Sequence, residues 1–163
     1  RDDDPYAHKT ITIDTYGKEH AISSIDLIML DIEGGELKAL KGAEYYLSMP
    51  IDKAPNLIFE IHRNYVDWVN GIENTDVIKF VSKFGYTFFA IRDYNSNVSM
   101  VGKPIELVPI NNIYLEGPPH GFNILAIKDI SIIEGDIFSI RPGVSPKLLK
   151  HRDQAIHGPL LKL

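Results

Sequence analysis

The stretch Ile25-Asp26-Leu27-Ile28-Met29-Leu30-Asp31-Ile32-Glu33-Gly34-Gly35-Glu36 joins a nearly continuous apolar run to a cluster of acids and glycines. An apolar run of that length reads as a strand buried on both faces, the kind found in parallel sheets. Gly34-Gly35 supplies a sharp turn out of the strand. Leu37, Leu40, Ala43 and Leu47 then recur at three- and four-residue intervals and predict a helix. Glu36 sits in its first turn, where a negative charge suits the helix dipole. Met49-Pro50 ends it.

Working outward, the same alternation recurs. Asn56–His62 reads as a second strand, followed by a helix with Thr75 as N-cap candidate and Val77, Ile78, Val81 and Phe84 as its apolar stripe. Gly85 occupies a C-cap position, Tyr86–Ile91 predicts a third strand and Phe122–Ile127 a last one. Upstream, Lys9-Thr10-Ile11-Thr12-Ile13 alternates with period two and predicts a short strand broken at Asp14-Thr15-Tyr16-Gly17. Residues 92–120 read as loop with short strands. After Asp129 the chain is mostly irregular, with one helical candidate at 145–151. Strands alternating with helices predict an α/β fold with a mostly parallel sheet. The last strand is expected to return antiparallel, because no clear helix precedes it.

Composition narrows the function classes. The 163 residues are 44% apolar and 24% charged, as in an ordinary folded domain. No apolar run reaches the ~18 residues of a membrane span, and no cysteine offers a disulfide or a thiolate. The compartment is left open by this, with the cytoplasm favoured. Residues 1–129 carry 12 Lys/Arg against 19 Asp/Glu. An acidic body suits polyphosphate poorly, so direct nucleic-acid binding is not expected. Residues 130–163 reverse the balance, 5 against 3, and read as a C-terminal extension.

Ligands of parallel α/β sheets bind beyond the carboxyl ends of the strands. Both strong strands place polar residues there: Asp31 and Glu33 after one, Glu60 and His62 on the other. Glu60 and His62 are two apart, so they leave the strand on one face. If the strands are neighbours, about 4.8 Å apart, Asp31, Glu60 and His62 converge. A His beside carboxylates can accept a proton from a hydroxyl, and the three together could hold a divalent ion. Asp31 after four apolar residues is expected to be partly desolvated. The plainer readings are a helix-capping Asp31, a structural Glu60–His62 pair and a first-turn Glu36. Tyr65 and Trp68 either line a pocket or pack under a loop. His8, His20, His120, His151 and His157 lack metal-ligand spacing and read as mostly surface residues.

The block from Ile25 through Leu40-Lys41-Gly42-Ala43 resembles the FkbM family of S-adenosylmethionine-dependent methyltransferases, whose apolar strand closes on Asp-x-Glu-Gly-x-Glu before a helix with Leu-Lys-Gly-Ala. Thr12-Ile13-Asp14 resembles the segment just upstream, and Pro55–His62 the next family strand. Met29 stands where the family often has Lys. The resemblance implies a Rossmann-like class I methyltransferase fold and methyl transfer to a hydroxyl of a sugar or small natural product. It implies Asp31, Glu60 and His62 as catalytic, with His62 the favoured proton acceptor, and Asp31 and Glu33 toward the cofactor. In the related catechol-type enzymes the corresponding strand end binds a metal, which leaves room for a divalent ion at Asp31.

No glycine-rich cofactor loop precedes Asp31 in the 24 residues before Ile25. Three βαβ-type units would need roughly 90 residues. Residues 1–129 are therefore expected to be the C-terminal half of a methyltransferase domain, with the other half elsewhere in the parent protein or on a partner chain. Alone, the fragment is expected to be inactive, with the 25–30 strand as an open edge. Two other functions stay open: a non-catalytic methyltransferase-like module in a larger assembly, and a metal-dependent hydrolase built on Asp31, Glu60 and His62.

Overall fold

The computed structural model describes residues 10–94, 98–115 and 121–160. His8, His120 and the start of the expected 9–13 strand lie outside them. In chain order the elements are α1 (Ile13–Glu19), β1 (Leu27–Leu30), α2 (Glu36–Lys41), α3 (Glu44–Leu47), β2 (Asn56–His62), α4 (Asp76–Ser82), β3 (Thr87–Ile91), β4 (Asp93–Tyr94), β5 (Ile105–Pro109), β6 (Gly121–Ile127), β7 (Phe138–Ile140), β8 (Lys147–Leu148) and α5 (Gln154–His157). No helix among the described residues is long and apolar enough to cross a membrane.

The main sheet is mixed, in the order β1-β2-β6-β3-β5-β7. β1 and β2 pair in parallel. β6 pairs antiparallel with β2 on one side and β3 on the other, so β1, β2 and β3 run the same way. The antiparallel return of the last strong strand is as expected, but it is inserted between β2 and β3. β5 pairs antiparallel with β3, and β7 parallel with β5. Within residues 92–120, β5 is a full sheet strand.

One face of the sheet is covered by α2, α3 and α4. Leu40, Leu47, Val77, Ile78 and Val81 join Leu57, Phe59, Ile61, Phe88, Ala90, Ile124 and Ala126 in a single core. The other face buries Phe89, Leu107, Leu125 and Ile127, with Ile133 and Phe138 packed on them. That cover does not extend to β1, where Leu27 is 49% and Met29 70% exposed. The expectation of a strand buried on both faces is thus corrected: β1 has one neighbour and is the sheet's edge.

Three local expectations also change. Residues 13–19 form helix α1, because Thr12 is extended and its Oγ1 accepts from the Thr15 N–H at 3.0 Å. That cap outweighs the β-branched alternation. The helix expected through Leu47 is split at Gly42-Ala43, where the Gly42 carbonyl accepts from the Asp14 N–H at 2.8 Å and the Asp14 carboxylate accepts from the Tyr45 N–H at 3.0 Å. The helix expected at 145–151 is replaced by β8, which pairs with β4, and the helix falls later, at α5.

The segment after Asp129 is tied to the sheet by a buried charge. Arg92 donates to the carbonyls of Ser145 (2.7 Å), Ile156 (2.7 Å) and Gly158 (3.1 Å). It also pairs with Glu106, which binds Arg141 at 2.9 Å and accepts from the Leu160 N–H at 2.7 Å. His157 is buried there against Tyr114, not on the surface as expected, whereas His20 and His151 are exposed.

Candidate functional site

The β1–β2 register decides which side chains meet. Met29 pairs with Ile58 and Leu30 with Phe59, so the next residue, Asp31, comes level with Glu60. On the other side, Glu60 pairs with Asn123 and His62 with Gly121. Strand alternation keeps Glu60 and His62 on one face. Asp31, Glu60 and Asn123 thus form a polar row across three strands, with His62 one step further out.

Gly121 makes room in this row. A methyl group at its Cα would lie 2.5 Å from Glu60 Oε1 and 2.7 Å from His62 Cδ2. Any other residue would push both side chains aside.

The turn after β1 is shaped by two left-handed residues, Glu33 at φ 54° and Gly34 at φ 96°. Such a conformation is costly for a glutamate and persists only where its surroundings hold it. Here they do. Tyr65 is hydrogen-bonded to Glu33, which pushes its phenol up from the ordinary value, and its Cβ would lie 2.9 Å from a Cβ on Gly34. Glu36 is buried and accepts from the Ile32 N–H at 3.0 Å, so its role is to close the turn.

Glu60 is the perturbed acid of the group. Partial desolvation, with Asp31, Glu33 and Glu36 nearby, pushes its carboxyl up, while His62 opposes the shift. Asp31 itself is exposed, not partly desolvated as expected, because β1 is an edge. His62 Nδ1 accepts from the Asn64 N–H at 3.2 Å, and its ring lies 5.4 Å from that of Tyr65. Glu60 and Tyr65 border a cleft of about 350 Å3 between the starts of α2 and α4. Trp68 packs on Phe122 instead, at 5.6 Å between rings.

Asp31 and Glu33 thus follow β1, and Glu60 and His62 stand at the end of the neighbouring β2. A family model, the methyltransferase FkbM domain, matches residues 2–88, more than half of the chain. The chain belongs to the FkbM methyltransferase family. No curated protein and no solved structure matches it.

S-adenosylmethionine is the usual methyl donor of FkbM methyltransferases. The carboxylates gathered here, Asp31, Glu33 and Glu60, have the chemistry to face its positive sulfonium end. For a metal the fit is poorer: among the described residues no group of three or more His, Asp or Glu is placed to hold an ion. The metal-dependent hydrolase reading therefore gains no support from this geometry.

Proposed function

We propose that this FkbM protein transfers a methyl group from S-adenosylmethionine to a hydroxyl oxygen of a sugar or small natural product, at the carboxyl ends of β1 and β2. The observation that carries the reading is the register that sets Asp31 level with Glu60, with His62 on the same face. The order β1-β2-β6-β3, three strands in one direction and the last inserted antiparallel, supports a Rossmann-like methyltransferase sheet.

S-adenosylmethionine, when bound, supplies a methyl group on a positively charged sulfur. Asp31 and Glu33 would face that charge. Glu60 would take the proton of the acceptor hydroxyl while the hydroxyl oxygen bonds to the methyl carbon and the carbon–sulfur bond breaks, leaving a neutral thioether. The Asn64 contact supports this division of labour, because it engages the Nδ1 lone pair of His62. Nε2 is the ring nitrogen of His62 that this contact does not engage. His62 orients, and the carboxylate with the raised proton affinity accepts. Most of the rate gain comes from holding oxygen and methyl in line.

The glycine-rich cofactor loop belongs, in this reading, to residues outside the chain. The exposed edge at Met29 supports a further strand beside β1. Calorimetry on the full-length protein tests the function: micromolar binding of S-adenosylmethionine is expected. Absence of binding at millimolar concentration overturns the reading.

A further inference from the structure

One side chain touches both strand ends of the site. Tyr65 follows β2 by three residues, and its N–H donates to the His62 carbonyl at 2.9 Å. Its ring lies tilted against that of His62, with 5.4 Å between centroids. The same residue is seated on the turn after β1: a Cβ on Gly34 would come 2.9 Å from Tyr65 Cβ and Cγ and 3.0 Å from Cδ1. Its phenol donates a hydrogen bond to the Glu33 carboxylate. Burial does not explain this placement, because Tyr65 is 51% exposed. Nor does packing explain Glu33, which is exposed and left-handed at φ 54°. A glycine would hold that turn without strain. What a glycine lacks is the carboxylate that Tyr65 holds.

We propose that Tyr65 is a positioning residue that clamps the end of β2 to the turn after β1 and aims the Glu33 carboxylate at the positive sulfur of the methyl donor, so that the site binds the sulfonium donor in preference to the uncharged thioether left after transfer. The proposal rests on the methyltransferase reading for the identity of the donor; the clamp itself does not. The side chain divides the work. Its ring and Cβ meet Gly34 and His62, whereas the hydroxyl alone holds Glu33. A glutamate left unheld on an exposed turn samples several rotamers, and ordering it costs side-chain entropy when a ligand arrives. The hydrogen bond fixes the charge in advance. A fixed charge acts on a cation and leaves a neutral ligand unchanged. Glu36 of α2 and Glu60 of β2 also lie near the phenol and carry the same sign as Glu33, so both strand ends present a negative field there.

Calorimetry of the full-length protein with S-adenosylmethionine and with S-adenosylhomocysteine reads the preference. Tyr65→Phe keeps the ring and removes only the hydroxyl. It is expected to weaken the sulfonium ligand about five-fold or more, while the thioether changes by less than about two-fold. Glu33→Gln is expected to remove the same preference, and Tyr65→Phe added to it is expected to change nothing further. Carbon-13 NMR of the tyrosine Cζ reads the clamp with no ligand present: the Tyr65 midpoint is expected to fall toward the ordinary value of about 10 in Glu33→Gln. Equal weakening of both ligands in Tyr65→Phe overturns the proposal, as do additive losses in the double variant or an unmoved Tyr65 midpoint. A wild-type protein that binds neither nucleoside overturns the methyltransferase reading and the donor-directed half of the proposal with it; the tyrosine titration still decides the clamp.

Discussion

Glu60 links stability to function at the residue scale. A carboxyl whose folded proton affinity is raised binds more protons in the native state than in the unfolded one. Its ionisation therefore opposes folding. The contribution to stability is full below the unfolded value of about 4.3 and is lost as pH rises through the folded value. Glu60→Gln should raise the melting temperature at pH 7, and the gain should vanish below about pH 4. The same variant should lower methyl transfer by about 10²-fold or more, the usual weight of a positioned base. Transfer by the unaltered protein should rise with pH through the Glu60 midpoint, which burial and the neighbouring acids push up from the ordinary glutamate value. Circular dichroism melts and a pH–rate profile check these outcomes. Gly121→Ala separates site from scaffold. Its new methyl meets the movable ends of Glu60 and His62, so transfer should fall steeply while the melting temperature changes little.

At the scale of elements, the N-terminal turn shows how a cap overrides a pattern. Thr12→Ala removes the acceptor for the Thr15 N–H and should cost about 1 kcal/mol, read by urea unfolding. The 9–13 alternation was legible as a strand only because period two is visible in sequence while a cap depends on the backbone at one residue. β2 was legible to its last residue, since Asn56–His62 is long, apolar and bounded by Pro55 and Arg63. β5 was hidden by its own content. A buried glutamate sits at its second position, and Glu106 is tolerable there only because Arg92 and Arg141 reach it. The meeting of Asp31, Glu60 and His62 could be anticipated from residues at two strand ends, given that the strands are neighbours. The pairing of β8 with β4 could not, because no local signal places a strand at 147–148 beside one at 93–94.

For the whole molecule, the buried Arg92 is what fastens the C-terminal segment to the sheet. Arg92→Met leaves Glu106 buried with a partner lost and frees three carbonyls. Breaking one side of such a pair costs ~3–5 kcal/mol. Hydrogen exchange should accelerate over residues 141–160 before the β2–β6–β3 region responds. Uniform acceleration across the sheet would contradict the view that this charge fastens the C-terminal segment in particular.

The insertion of β6 has a consequence for how the chain matures. Synthesis delivers β2 and β3 first, yet the two do not pair in the finished sheet; both pair with a strand that ends at Ile127. A nascent chain leaving the ribosome must therefore keep two sticky edges apart while the next several dozen residues emerge. A polypeptide halted at residue 88, where the family match stops, would own the motif acids but lack the wedge that joins them to the rest of the sheet.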